Sequence, residues 1–252
     1  VAVEVMAGMG LGSGGVELPI LLLGLFGGLL ALDDTALAQT WFSQPLPAAI
    51  LTGAFCGDAL TGLAIGLPVQ MALAGNLPVG QSFVGDHVTA VVAVVGAVVL
   101  SAQELTPALG GGEMASVSFV GWMIVAVGLV STIGHFAVHW ERQAHSVWML
   151  EGHQTLRDGN LERIDRLHAR CLFATFLRGF VTTALLVPLL VSWWIPLYAH
   201  LPAVFLRVLG MVTVLLPGIG IGSLIDRYGV RRSWLWLVGG LAVASVMTRI
   251  VA

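Results

Sequence analysis

The sequence predicts an all-α integral membrane protein, a polytopic helix bundle in which some helices are broken or re-entrant. Three observations lead there. First, 57% of the 252 residues are hydrophobic and only 10% charged, with a mean hydropathy of +0.93; soluble domains carry roughly 25% charge. So few charges cannot cover a water-facing surface of that size. Second, the apolar runs are long and free of charge, where barrel strands would be short and alternating. In lipid every backbone N–H and C=O needs a partner within the protein, so these runs are helices. Third, the 32 glycines suit helices that approach closely or break near a site.

Residues 1–15 are expected to form a flexible leader, and 16–252 a single membrane domain. The stretch 16–32 reads as a first helix near the roughly 20 residues needed to span, ending at Asp33-Asp34. A polar, aromatic segment from Gln39 to Pro45 follows, with Trp41 placed to anchor at an interface. From 46 to 86 there is no basic residue, and the run is interrupted by Gly57-Asp58, Pro68, Gly75-Asn76, Pro78 and Gly80. Each apolar piece is too short to span. Short Gly/Pro-interrupted segments of this kind mark midplane sites in transporters.

Apolar helices are predicted over 88–102 and 115–138, separated by a Gly-rich loop. The segment 139–170 is polar and holds five of the eleven arginines, which are the chain's only Lys/Arg-type cations. By the positive-inside rule it faces the cytoplasm. Within it, Asn160 is placed to cap a helix whose apolar positions Leu161, Ile164, Leu167 and Cys171 share one face, expected to lie near the membrane surface. A span over 171–192, a turn at Trp193–Pro196, an apolar run broken at Pro217–Gly220, a second Arg-rich loop at 226–232 and a last helix over 233–251 complete the reading. The breaks near 57–80 and 217–223 hint at weak internal symmetry.

Polar groups at membrane depth are costly unless paired or hydrated, so they are functional candidates. In and just before the interrupted region stand Gln39, Ser43, Gln44, Asp58, Gln70, Asn76, Gln81, Asp86 and His87. Amides and carboxylates suit a ligand rich in hydroxyls, because they donate to or accept from each OH. Gln39, Gln44, Asp58, Gln70, Asn76 and Asp86 are therefore candidate substrate contacts, with Gln70, two residues after Pro68, the leading one. His135 and His139 share a helix face at i and i+4, which suits a metal or haem; a solvated helix end explains them more simply. The two cysteines, Cys56 and Cys171, read as packing residues. No catalytic residue, cofactor, metal or nucleic-acid partner is expected.

In order along the chain stand Gln44-Pro45-Leu46, Gly57-Asp58-x-x-Thr61-Gly62, Gln70-Met71-x-Leu73, Val79-Gly80 and Asp86, then Gly159-Asn160-Leu161, His168 and Leu172-Phe173 up to Arg178. This series resembles the membrane IIC component of the mannose–fructose–sorbose family of sugar phosphotransferase systems. Gly85-Asp86 stands where many members have Pro-Asp, and Ser43-Gln44 where mannose-type members have His-Arg. The resemblance implies a sugar-conducting permease subunit of the bacterial cytoplasmic membrane. It also implies a IID membrane partner, assembly as a trimer of IIC–IID pairs, and phosphorylation of a hexose-type sugar by separate IIA and IIB proteins. An ion-coupled secondary transporter of another family, or a His-ligated metal or haem protein, are the alternatives from the residues alone.

Overall fold

The computed structural model describes residues 17–73, 85–108, 117–157 and 159–228. The expected leader, Asn76, Gln81 and the expected last helix lie outside these. Among the described residues the chain is helical, with no strand. The helices are α1 (Glu17–Thr35), α2 (Pro45–Cys56), α3 (Ala59–Leu73), α4 (His87–Ala108), α5 (Val117–Arg157), α6 (Leu161–Leu189) and α7 (Ala203–Tyr228). Val117–Arg157, Leu161–His200 and Ala203–Ile225 are long and apolar enough to cross a membrane; Pro45–Cys56, Ala59–Leu73 and His87–Ala102 are shorter apolar helices.

α4 is the centre of the bundle. Its run of valines and alanines is apolar all round, the pattern of a helix enclosed on every side, and Ala90 to Val95 are fully buried. Around it pack Leu23 of α1, Ala49 of α2, Ile65 of α3, Phe119, Met123 and Val127 of α5, and Val187 at the end of α6. α1 lies against α6 through small residues: a Cβ on Gly27 would run into Thr183, and one on Gly179 into Ala31.

α2 and α3 form a re-entrant helical hairpin. At 12 and 15 residues each is below spanning length. Gly57 closes α2 in the left-handed conformation, φ 100°, as a helix C-terminus commonly requires; Asp58 N–H returns to Gly53 O at 2.7 Å. The Asp58 carboxylate then caps α3, accepting from Leu60 N at 3.0 Å, Thr61 N at 3.1 Å and the Thr61 hydroxyl at 2.6 Å. Gly62 lies against the Ala49 carbonyl with no room for a side chain. At the open end, Gln70 Oε1 accepts the Leu46 N–H at 3.2 Å.

Three local expectations are corrected. Pro68 and Pro217 lie inside α3 and α7 without breaking them. A proline inside a helix forfeits about 3 kcal/mol, but unwinding a turn in an apolar setting strands several backbone groups, each costing more. Among the described residues the hinted symmetry therefore has one break, at 57–58. Trp193–Pro196 is not a turn: the helix widens into a π turn over Leu190–Trp194 and tightens to 3-10 over Tyr198–His200. The widening accommodates Pro196, which has no N–H to give. The Trp194 carbonyl accepts the Trp122 indole N–H at 3.0 Å, and the two indoles stack at 4.1 Å. Finally, the helix expected over 115–138 does not end there. α5 runs 41 residues unbroken, about 60 Å at 1.5 Å per residue, turns at Gly159 (φ 70°), and pairs with the start of α6. Asn160 caps α6 as expected, its Oδ1 accepting Arg163 N–H at 3.1 Å.

Candidate functional site

Four helices bring charged side chains to one place within the bundle. α1 ends at Asp33-Asp34. Asp33 holds the following loop, accepting from Thr40 N at 2.8 Å, the Thr40 hydroxyl at 2.7 Å and Ser43 N at 3.0 Å; Asp34 faces the interior cavity. Asp86 caps α4: one carboxylate oxygen accepts Thr89 N–H at 3.2 Å, and its own N–H donates to Ser131 O at 3.2 Å. Gly134 of α5 leaves room for it, since a Cβ there would collide with the Asp86 side chain.

The second oxygen of Asp86 pairs with Arg178 Nη1, and Arg178 Nε pairs with Glu141 Oε2. Glu141 Oε1 also accepts from the Thr175 hydroxyl, and His145 Nε2 stands 3.7 Å from it. The side chains of Asp86, Arg178 and Glu141 are only 4, 9 and 11% exposed. One guanidinium thus links α4, α5 and α6, using separate nitrogens for the two carboxylates. These groups line a cavity of about 340 Å³, together with Asp34, Arg142, His145, His168 and Cys171. Three carboxylates face two guanidiniums, so with neutral histidines the wall carries one net negative charge. Such a wall presents acceptors and donors close together, the arrangement that holds a polyhydroxylated solute.

A family model described as the sorbose-specific IIC component of the phosphotransferase system matches residues 18–252. The chain belongs to that family. No curated protein matches it. Among solved structures, one described only as a membrane protein superposes with a TM-score of 0.63 at 19% identity, covering 93% of both chains. The mannose transporter ManYZ, in complex with a microcin, superposes with a TM-score of 0.52 at 17% identity, over 91% of this chain and 85% of that one. At those identities the likeness is one of fold. The family makes this a sugar-transport membrane subunit of a phosphotransferase system.

Within this IIC fold the residues singled out from sequence occupy three places. Asp86 belongs to the ion network. Gln44 and Gln70 stand together at the open end of the hairpin: Gln44 precedes Pro45, where α2 begins, without a side-chain cap bond, and Gln70 engages Leu46. Asp58 is at the opposite end, the tip, about 18 Å away along a 12-residue helix. Gln39 lies exposed in the loop after α1 with φ 52°. Asn76 is outside the described residues. Asp34, Glu141 and Arg178 were not singled out as contacts. Arg178 carried a signal nonetheless: it is the lone charge within the apolar stretch 171–192, and such a residue is a site candidate by default. His135 and His139 sit with ring centroids 6.4 Å apart, and Gln143 Nε2 lies 3.0 Å from His139 Nε2. No group of three or more His, Cys, Asp or Glu among the described residues is placed to hold a metal.

Proposed function

We propose that this IIC subunit conducts a hexose-type sugar across the bacterial cytoplasmic membrane for phosphorylation by a separate IIB protein, charged in turn by IIA and ultimately by phosphoenolpyruvate. The chain carries the sugar and performs no phosphoryl transfer itself. It works with a IID membrane subunit, a pairing that the fold likeness to the ManYZ mannose transporter supports, and the pairs assemble as a trimer in this reading. The observation that carries it is the cavity walled by Asp34, Asp86, Glu141 and Arg178, in a chain of this family. The cavity volume of about 340 Å³ is at the small end of ligand pockets, roughly 300–1,000 Å³, which fits a single sugar ring.

In this reading Asp86 accepts sugar hydroxyls at the cavity, and Asp34 and Glu141 complete the wall. Gln44 and Gln70 offer amide donors from the hairpin's open end, and Asn76 and Gln39 are further candidates on the flanking segments. Asp58 serves the set from a distance by fastening the tip. The test is sugar phosphorylation in inverted vesicles holding this chain with its IID subunit, soluble IIA and IIB proteins, and the soluble proteins that charge IIA from phosphoenolpyruvate. Label should appear as sugar phosphate only when phosphoenolpyruvate is supplied, and Asp86→Asn should lower the rate. Uptake of unphosphorylated sugar driven by a proton or sodium gradient, without phosphoenolpyruvate, would instead identify an ion-coupled transporter.

A further inference from the structure

A second charged cavity lies on the outer part of the α5–α6 hairpin. It measures about 460 Å³ and is lined by Glu151, Asn160, Arg163, Arg166, Leu167 and Arg170. Two of its arginines are held in place: Arg163 Nη2 pairs with Glu151 Oε1 at 2.6 Å, and the Arg170 guanidinium lies 4.3 Å over the Trp148 ring. Arg166 Nε donates to the Glu162 carbonyl at 3.3 Å. Three guanidiniums against one carboxylate leave two positive charges in the pocket. Each arginine has five donors, so these contacts leave capacity for an anion.

The same stripe of α6 continues inward. Arg163, Arg166, Arg170, Phe173 and Leu177 follow at spacings of three and four residues, which places them along one helix face. The two apolar members are exposed. Counted from Leu172, where the apolar stretch begins, Arg166 and Arg163 stand about 9 and 14 Å further along the helix. The interfacial layer on each side of the hydrocarbon is roughly 5–8 Å thick. Arg170 and Arg166 therefore lie at headgroup depth or just beyond it, with Phe173 and Leu177 at the depth of acyl chains.

We infer that this pocket binds the phosphate of an anionic glycerophospholipid, the headgroup between Arg166 and Arg170, with Arg163 at the pocket's outer edge, and the acyl chain along Phe173 and Leu177. Basic pockets between helices at the cytoplasmic surface bind such headgroups. The site is distinct from the sugar cavity and stands whichever solute the chain carries.

The test is native mass spectrometry of the detergent-purified IIC–IID complex after exchange into mixed micelles of phosphatidylglycerol or phosphatidylcholine. Phosphatidylglycerol should remain bound and phosphatidylcholine should not. Arg166→Gln and Arg170→Gln should each reduce retention about fivefold. Glu151→Gln, which removes the opposing charge, should raise it. Arg207→Gln, an exposed arginine at the far end of the bundle, should leave it unchanged. Inorganic phosphate titrated into lipid-free complex separates the sources: binding as tight as the lipid's would make the ligand a solute and overturn the lipid assignment. Equal lipid retention in every variant would overturn the site. So would loss of the IID subunit from the arginine variants with lipid retention unchanged, since the stripe would then be a protein interface.

Discussion

Arg178 is the residue on which the interior depends most. Its guanidinium bridges Asp86 and Glu141, which lie 92 and 37 residues away in the chain. Taking one partner from a buried ion network strands the others, at a cost of about 3–5 kcal/mol. Arg178→Met should therefore lower the thermal midpoint of the purified protein sharply. Adding Asp86→Asn and Glu141→Gln should recover much of the loss, because no uncompensated charge remains. A triple variant no more stable than the single one would show that the three groups do not act as a unit. Gln70 admits a finer dissection. Gln70→Glu keeps the acceptor that holds the Leu46 N–H but removes the amide donors. Stability should persist while sugar affinity falls about fivefold to tenfold, the worth of one hydrogen bond of about 1–1.5 kcal/mol, by titration calorimetry. Unchanged affinity would leave Gln70 as a tie for the hairpin only. Asp86 was legible in the sequence because a carboxylate between apolar runs is conspicuous. Glu141 and Asp34 were not, since nothing local in either tells which distant charge it will meet.

Among the elements, the α2–α3 hairpin shows where local rules hold and where surroundings override them. Gly57-Asp58 was readable as a break: a glycine free to adopt φ 100° beside an aspartate able to cap the next helix is a complete stop-and-start signal. Pro68 and Pro217 gave an equally strong local signal and were overruled. Proline breaks a helix when water can receive the freed groups, and these helices are packed or lie in apolar surroundings. The apolar run 115–138 carries no local sign that its helix continues into the polar residues after it. Pairing between α5 and α6, with Gly152 passing close to Leu167 and Arg163 bonding Glu151, extends both helices instead. The hairpin yields a graded prediction. Asp58→Ala removes three capping contacts and should cost about 0.5–2 kcal/mol, seen as a modest drop in thermal midpoint. Gly62→Val places atoms inside the Ala49 carbonyl and should prevent α2 and α3 from closing, with loss of folded protein in size-exclusion chromatography. A well-folded Gly62→Val protein would mean that the two helices do not pack this closely.

For the whole molecule, helix length and charge together decide which way the bundle sits. α5 carries the chain about 60 Å from one end to the other, and two contacts mark its first end. Ser118 Oγ and the Tyr198 hydroxyl lie 2.7 Å apart, and the Thr213 hydroxyl donates to Val117 O at 3.2 Å. The turn at Leu201-Pro202 therefore shares the end of the molecule where α5 begins, while Gly159 stands at the opposite end. Five arginines lie between 142 and 170, and arginine-rich ends stay in the cytoplasm. Single cysteines introduced at Gly159 and Pro202, in a background with Cys56 and Cys171 replaced by alanine, should then label from opposite sides. In intact cells an impermeant maleimide should modify the cysteine at 202 and spare the one at 159; in inverted vesicles the preference should reverse. Gly159 tolerates the test because a side chain there meets open space, although its φ of 70° adds about 1 kcal/mol of local strain. Labelling of both positions from the same side would break the link between these contacts and a transmembrane course. Exchange of the two sides, with opposite labelling kept, would preserve the fold and reverse the orientation, placing the second cavity and its arginines outside the cell.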